Sequence, residues 1–146
     1  MNGLYSKSFV VPHEAIDAYG HVNNIVYVQW MLEVAIEHCT SVGWPVERSL
    51  EHGVAWVVRS HFIEYLRPAF EGQAITTHTW LEAMGERCPR HFVFVRDDGR
   101  KLLAKAETLF VSVDPATGRP VAIPEAILAS FPVLPDEIAV MKTLGL

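Results

Sequence analysis

The sequence predicts an α+β domain: one five-stranded antiparallel sheet wrapped around one long central helix, with a short helix near the C-terminus. Two observations carry this. The segment 24–42 is apolar around most of its girth, with only Gln29, Glu33 and Glu37 forming a clear polar stripe. Strand-like runs dominate the rest, joined by turn residues. A helix apolar on most sides needs cover on most sides, and a sheet curling over it supplies that cover.

The elements follow in order. Residues 4–11 read as a first strand closed by Pro12, and a loop spans 13–23. In the helix, Ile25, Val28, Leu32, Ala35, Ile36, Cys39 and Val42 recur at helical spacing, with Val26, Trp30 and Val34 in a second row. Asn23 can cap its start, and Gly43 with Pro45 stops it. Segments 54–66 and 74–84 are rich in β-branched and aromatic residues, ended by Arg67-Pro68 and Gly85. His91–Arg96 and Leu102–Val113 flank Asp97-Asp98-Gly99-Arg100, whose Asp-Gly is a hairpin signal. A turn at Asp114–Gly118, a short helix near Pro124–Ser130 and a proline-punctuated tail complete the chain.

Composition narrows the class. At 146 residues the chain is expected to be one domain, 1–146, with 50% hydrophobic and 20% charged residues. A net charge of -5 argues against a nucleic-acid partner. No apolar run reaches the roughly 18 residues of a membrane span, and the N-terminus lacks the pattern of a signal peptide. Cys39 and Cys88 have no CxxC spacing, so free thiols in a reducing cytoplasm are expected. The seven histidines form no HExxH, and no cysteine pair supports zinc, so no metal is expected. His61, His78 and His91 fall on separate strands and read as surface or interface residues. Two sheet edges and an outer face need cover, so a homodimer or homotetramer is expected.

The chemistry concentrates in Asp17-Ala-Tyr-Gly-His-Val-Asn-Asn-Ile-Val-Tyr27. A loop entering a helix N-terminus offers unpaired N–H groups and the positive end of the helix dipole, a ready site for negative charge. An acid beside such a site points to acyl transfer, with a base or nucleophile next to an oxyanion hole. A plain aspartate here caps a helix or stabilises its dipole, but Asp17 stands six residues ahead of Asn23, too far for capping.

These residues resemble the hotdog-fold acyl-CoA thioesterases of the 4-hydroxybenzoyl-CoA thioesterase type. The likeness rests on Asp17-Ala-x-Gly-His-Val-Asn-Asn-x-x-Tyr27, on His61-Phe-Ile-Glu-Tyr-Leu-Arg-Pro68 with Gly72, and on Asp114-x-x-Thr-Gly-Arg-Pro120 with Ile123-Pro124. Together they span about residues 5–125 in the family's order. The resemblance implies a hotdog fold, an acyl-CoA substrate, no separate cofactor, Asp17 as nucleophile or general base, and the Asn24 backbone N–H as oxyanion donor. Many relatives carry a second aspartate where this chain has Ala15, and one branch has histidine where Asn24 stands.

Other positions are candidates on weaker grounds. Gly20 lets the loop turn close to a substrate, and His21 could hold Asp17 or the thioester, although a loop glycine and a backbone-bonding histidine are the plain readings. Tyr27 and Trp56 are candidate acyl-pocket residues, with Tyr27 otherwise core. Thr76 and Thr77 lie on a strand that, by the resemblance, approaches the partner's site, though threonine also simply suits a strand. Arg59, Arg67, Arg87 and Arg90 are candidate cations for the coenzyme A phosphates at the pocket mouth. Two rival functions use the same fold. A hydratase or dehydratase needs a histidine with an acid on the central helix, where only Glu33 and Glu37 are evident. A non-catalytic acyl-CoA sensor would bind the thioester without turning it over. A carrier-protein thioester could replace coenzyme A, since both share the phosphopantetheine arm.

Overall fold

The computed structural model describes all 146 residues. Strands β1 (Tyr5–Val10), β2 (Ala55–Tyr65), β3 (Ala74–Leu81), β4 (Cys88–Arg96) and β5 (Lys101–Val113) form one sheet in the order β1-β3-β4-β5-β2, every pair antiparallel. The long helix α1 (Asn24–Ser41) packs against its inner face. The Asn23 side chain caps it, accepting from the Ile25 N–H at 3.1 Å, and Gly43, at a φ of 90°, turns the chain away.

The five strands and the central helix expected from sequence are all present. The cover over α1 is less complete than its apolar girth implies. Tyr27, Met31, Val34, Ala35 and His38 form its buried stripe, while Ile25 and Ile36 remain exposed at 65% and 51%. One curled sheet seals only one side of a helix. The open face lies alongside α2 (Val46–Glu51), a six-residue helix not foreseen because nothing so short shows a full hydrophobic period.

Two register shifts decide which side chains face α1. In β2, Val58 pairs with Phe110 but Ser60 with Leu109, so Arg59 is the extra residue of a bulge. In β5, Leu103 is extra between the pairs Phe94–Ala104 and Val95–Leu102, and both Leu103 and Ala104 reach the main core. On β4 the inward set is Cys88, Arg90, Phe92 and Phe94, each paired with a core-facing residue of β5.

The outer face of the sheet is partly covered by the chain itself. Helix α3 (Glu125–Leu128), the expected short helix, packs its Ile127 with Trp44, Val54 and Leu81. The cover comes from a further helix, α4 (Glu137–Thr143), after Pro132 and Pro135. Asp136 caps α4, accepting from the Ala139 N–H at 3.1 Å. Its Val140 packs with Trp80 and Val93, flanked by Leu4, Leu134, Met141 and Leu144. His91, expected at the surface or an interface, is instead buried there. Its ring stacks on Trp80 at 5.2 Å and its Nε2 lies 3.2 Å from Glu82 Oε1. The reason is α4, which roofs a face that the strand pattern alone leaves open.

Val140→Ala removes two buried methyl groups from this roof. It is expected to destabilise the protein by roughly 2 kcal/mol, combining lost transfer energy with a residual cavity, as read by urea unfolding.

Candidate functional site

The loop before α1 is tightly folded by its own backbone. The Asp17 N–H donates to the His21 carbonyl and the Gly20 N–H to the Asp17 carbonyl, both at 3.0 Å, closing a turn over Asp17-Ala18-Tyr19-Gly20. Gly20 sits at a φ of 86°, a conformation side chains rarely adopt, so the glycine is a requirement of this turn. The loop is anchored at its stem, where the Val22 N–H donates to the Ala69 carbonyl and the Asn23 N–H to the Ala15 carbonyl, each at 2.9 Å.

Asp17 is thereby held as a turn residue with a largely covered carboxylate. Its Oδ1 accepts from the Tyr19 N–H at 2.9 Å and lies 4.0 Å from His21 Nδ1. At the helix start, Asn23 takes the Ile25 N–H on its side chain and the Val26 N–H on its carbonyl. The Asn24 N–H, in the first helical position, is left with no protein acceptor and points along the helix dipole. Tyr65 completes this corner: its hydroxyl donates to the Asn24 carbonyl at 2.9 Å, tying β2 to the first turn of α1. Tyr65 lay within a recognised sequence motif, but nothing in its spacing assigned it this tether.

The other candidates separate. Tyr27 is core, edge-on to Trp30, Tyr65 and Phe94, and burial pushes its phenol up to about 12. Thr77 is buried on the inner face with its hydroxyl unpartnered, whereas Thr76 faces outward and bonds Ser8 and Asp97. Trp56 does line a cavity, an apolar pocket of about 310 Å³ between α1, α2 and β2. That cavity touches α1 only from Leu32 onward, so it begins about 12 Å along the helix axis from Asn24.

The arginines divide three ways. Arg59 and Arg87 border a single cleft of about 920 Å³ on the outer face, beside Val121–Ile123. Arg67 donates to the Leu102 carbonyl at 2.7 Å. Arg90 cannot stand at a pocket mouth, because it is 2% exposed. Its guanidinium donates to His38 Nδ1 at 2.8 Å and to Thr79 Oγ1 at 3.1 Å. The strand pattern predicts β4 from His91, with Arg90 in the loop before it. With the strand starting at Cys88, alternation turns Arg90 inward. The inward run Cys88, Phe92 and Phe94 was the signal available.

No three His, Cys, Asp or Glu side chains converge as metal ligands would. On α1, Glu37 is tied to Lys7 Nζ at 2.6 Å and His38 is engaged by Arg90, so the acid and histidine pair of a hydratase is not assembled.

Burial, and then the charge of Arg90, lowers His38 to about 4, so its Nδ1 is an unprotonated acceptor in the fold. The unfolded chain binds this proton first, near pH 6.5. The stabilisation is therefore complete above pH 6.5 and is lost as pH falls toward 4. Denaturant unfolding at pH 7 and pH 4.5 is expected to show a loss on the order of 2 kcal/mol that His38→Gln specifically reduces.

The model of the Thioesterase-like superfamily matches residues 10–131. The acyl-CoA thioester hydrolase YbgC of Escherichia coli is 29% identical over 121 residues, covering 83% of this chain and 90% of that protein. Among solved structures, a 1,4-dihydroxy-2-naphthoyl-CoA thioesterase from Synechocystis superposes with a TM-score of 0.80 at 18% identity, over 88% of this chain and 95% of its own. A Staphylococcus aureus protein in complex with CoA gives 0.81 at 18%, over 89% of this chain and 83% of its own. At such identities the structural likeness speaks for the fold, and the family match speaks for kinship. The chain therefore belongs to the thioesterase-like superfamily, with the hotdog fold and the thioester-hydrolase class that its sequence motifs implied.

Proposed function

We propose that this protein hydrolyses acyl-CoA thioesters, with Asp17 as nucleophile or general base and the Asn24 N–H as oxyanion donor. The observation that carries the reading is the corner before α1. A turn-held carboxylate stands in the loop that leads into a capped eighteen-residue helix whose first N–H is free. The thioester carbonyl would take its oxygen toward that N–H, where developing negative charge meets the helix dipole. Asp17 would then attack the carbonyl carbon to give a mixed anhydride, or take a proton from the attacking water. In the first route coenzyme A leaves as the thiolate and takes a proton from water, and a water molecule then cleaves the anhydride to release the acid and restore Asp17. In the second, the proton taken from the attacking water passes to the departing thiolate. Gly20 shapes the turn, His21 borders the carboxylate, and the Tyr65 tether fixes the first turn against β2.

Coenzyme A itself finds support on the outer face, where Arg59 and Arg87 share one cleft and can offer charge-assisted donors to phosphates. The acyl group is assigned to the apolar cavity bordered by Trp56. The offset of about 12 Å between that cavity and Asn24 along one helix favours an assembled site, in which a neighbouring subunit brings acid and cavity together. Exposed Ile25 and Ile36 beside the unpaired β2 edge, with Val57, Val58 and Phe62 also exposed, support a homodimer or homotetramer. Both cysteines are free thiols, in keeping with a cytoplasmic setting, and no helix is long and apolar enough to cross a membrane.

Thiol release from short, long and aromatic acyl-CoAs is the direct test. Asp17→Asn is expected to lower turnover at least about a hundredfold with an unchanged unfolding midpoint. Near-normal hydrolysis by that variant removes Asp17 from the mechanism. A folded wild type that binds acyl-CoA and turns none over favours the sensor.

A further inference from the structure

The apolar cavity has one feature that a plain hydrocarbon pocket does not need. Of the eighteen residues around it sixteen are hydrophobic, and the other two are Ser49 and Arg90. Arg90 is fixed by strand alternation to the inner face of β4 and is almost wholly buried. A guanidinium carries five N–H donors and keeps its charge. Around it stand His38 Nδ1, Thr79 Oγ1 and, at 4.0 Å, the Cys39 thiol. All three partners are neutral, since His38 accepts through an unprotonated nitrogen and burial raises the Cys39 thiol. No carboxylate lies within ion-pair distance of Arg90.

An uncompensated buried cation is costly, by several kcal/mol, and replacing such charges with apolar residues is commonly neutral or stabilising. A methionine or leucine would fill the same strand position among Cys88, Phe92 and Phe94. The charge therefore calls for a ligand that supplies the missing anion. The cavity it borders opens beside Val46, Leu50 and Val58, all three exposed, so a chain can enter there and run inward along apolar walls.

We propose that this cavity takes acyl groups whose far end carries a carboxylate, and that Arg90 is the residue that recognises that end. The planar fork of a guanidinium matches the two oxygens of a carboxylate. The apolar walls suit the methylene chain between thioester and acid, and the site would reject an acyl group of equal length ending in a methyl. This rests on the assignment of the cavity as the acyl pocket. Binding of the acid-ended chain itself, however, does not depend on hydrolysis.

The test uses the intact protein and two pairs of small esters: monomethyl against dimethyl adipate, and monomethyl against dimethyl sebacate. Each monoester presents one carboxylate and one neutral end, as the bound acyl group would. Calorimetry is expected to show wild type binding the monoester of at least one pair about tenfold or more tightly than its diester, the worth of one charge-assisted contact. In Arg90→Met the two should bind alike, with an unfolding midpoint equal to or above that of wild type. Equal binding of monoester and diester by wild type overturns the inference without any variant. A preference that survives in Arg90→Met overturns it too, because the carboxylate is then held elsewhere. Hydrolysis is read separately, with acyl-CoAs and their ω-carboxy counterparts. Discrimination between esters with no thiol release sinks the thioesterase reading and keeps this one, while thiol release without ester discrimination does the reverse.

Discussion

The need to bury α1 sets the terms for the rest of the molecule. A helix carrying Tyr27, Met31, Val34, Ala35 and His38 along one stripe must lie against a curved apolar surface, and five antiparallel strands provide it. That packing fixes where the helix begins. The start of α1 in turn fixes the Asp17 turn, because Asn23 is both the helix cap and the end of the loop anchored to Ala15 and Ala69. Catalytic geometry of the proposed kind depends on donors being held in place before the substrate arrives. Here the holding is done by the core.

Much of the fold was legible because its signals are local or periodic. The capping asparagine, the glycine stop, the Asp-Gly turn and the strand runs each follow from short-range stereochemistry. The candidate site was legible for the same reason, since Asp17, Gly20 and Asn24 lie within one short stretch. What escaped depends on distant pairing. Arg90 faces inward only because β4 starts three residues earlier than the sequence pattern indicated, and its consequence appears only where His38 arrives from α1. His91 is buried only because α4 folds back across β4, a contact between residues far apart in the chain. Tyr65 reaches Asn24 across forty-one positions.

The same comparison separates two kinds of apolar residue on α1. Periodicity identifies Ile25 and Ile36 as hydrophobic but says nothing about what covers them. In the single chain they stay open to solvent beside an unpaired strand, while Tyr27 and Met31, a short rotation away, are sealed. An apolar face is a necessary condition for a buried helix, and a second surface has to be found for each side of it.

The bulge at Arg59 has a wider effect than its single residue. Before it, Trp56 and Val58 face the cavity at even positions; after it, His61, Ile63 and Tyr65 turn to that same side of the sheet at odd ones. The extra residue thus switches the parity of β2, letting one strand furnish both a wall of the cavity and the hydroxyl that steadies the helix start. Strand alternation alone would grant one of these and forbid the other. In this chain the bulge is what lets a cavity wall and the helix tether stand on one side of β2, with an odd residue, Arg59, set between Val58 and Ser60.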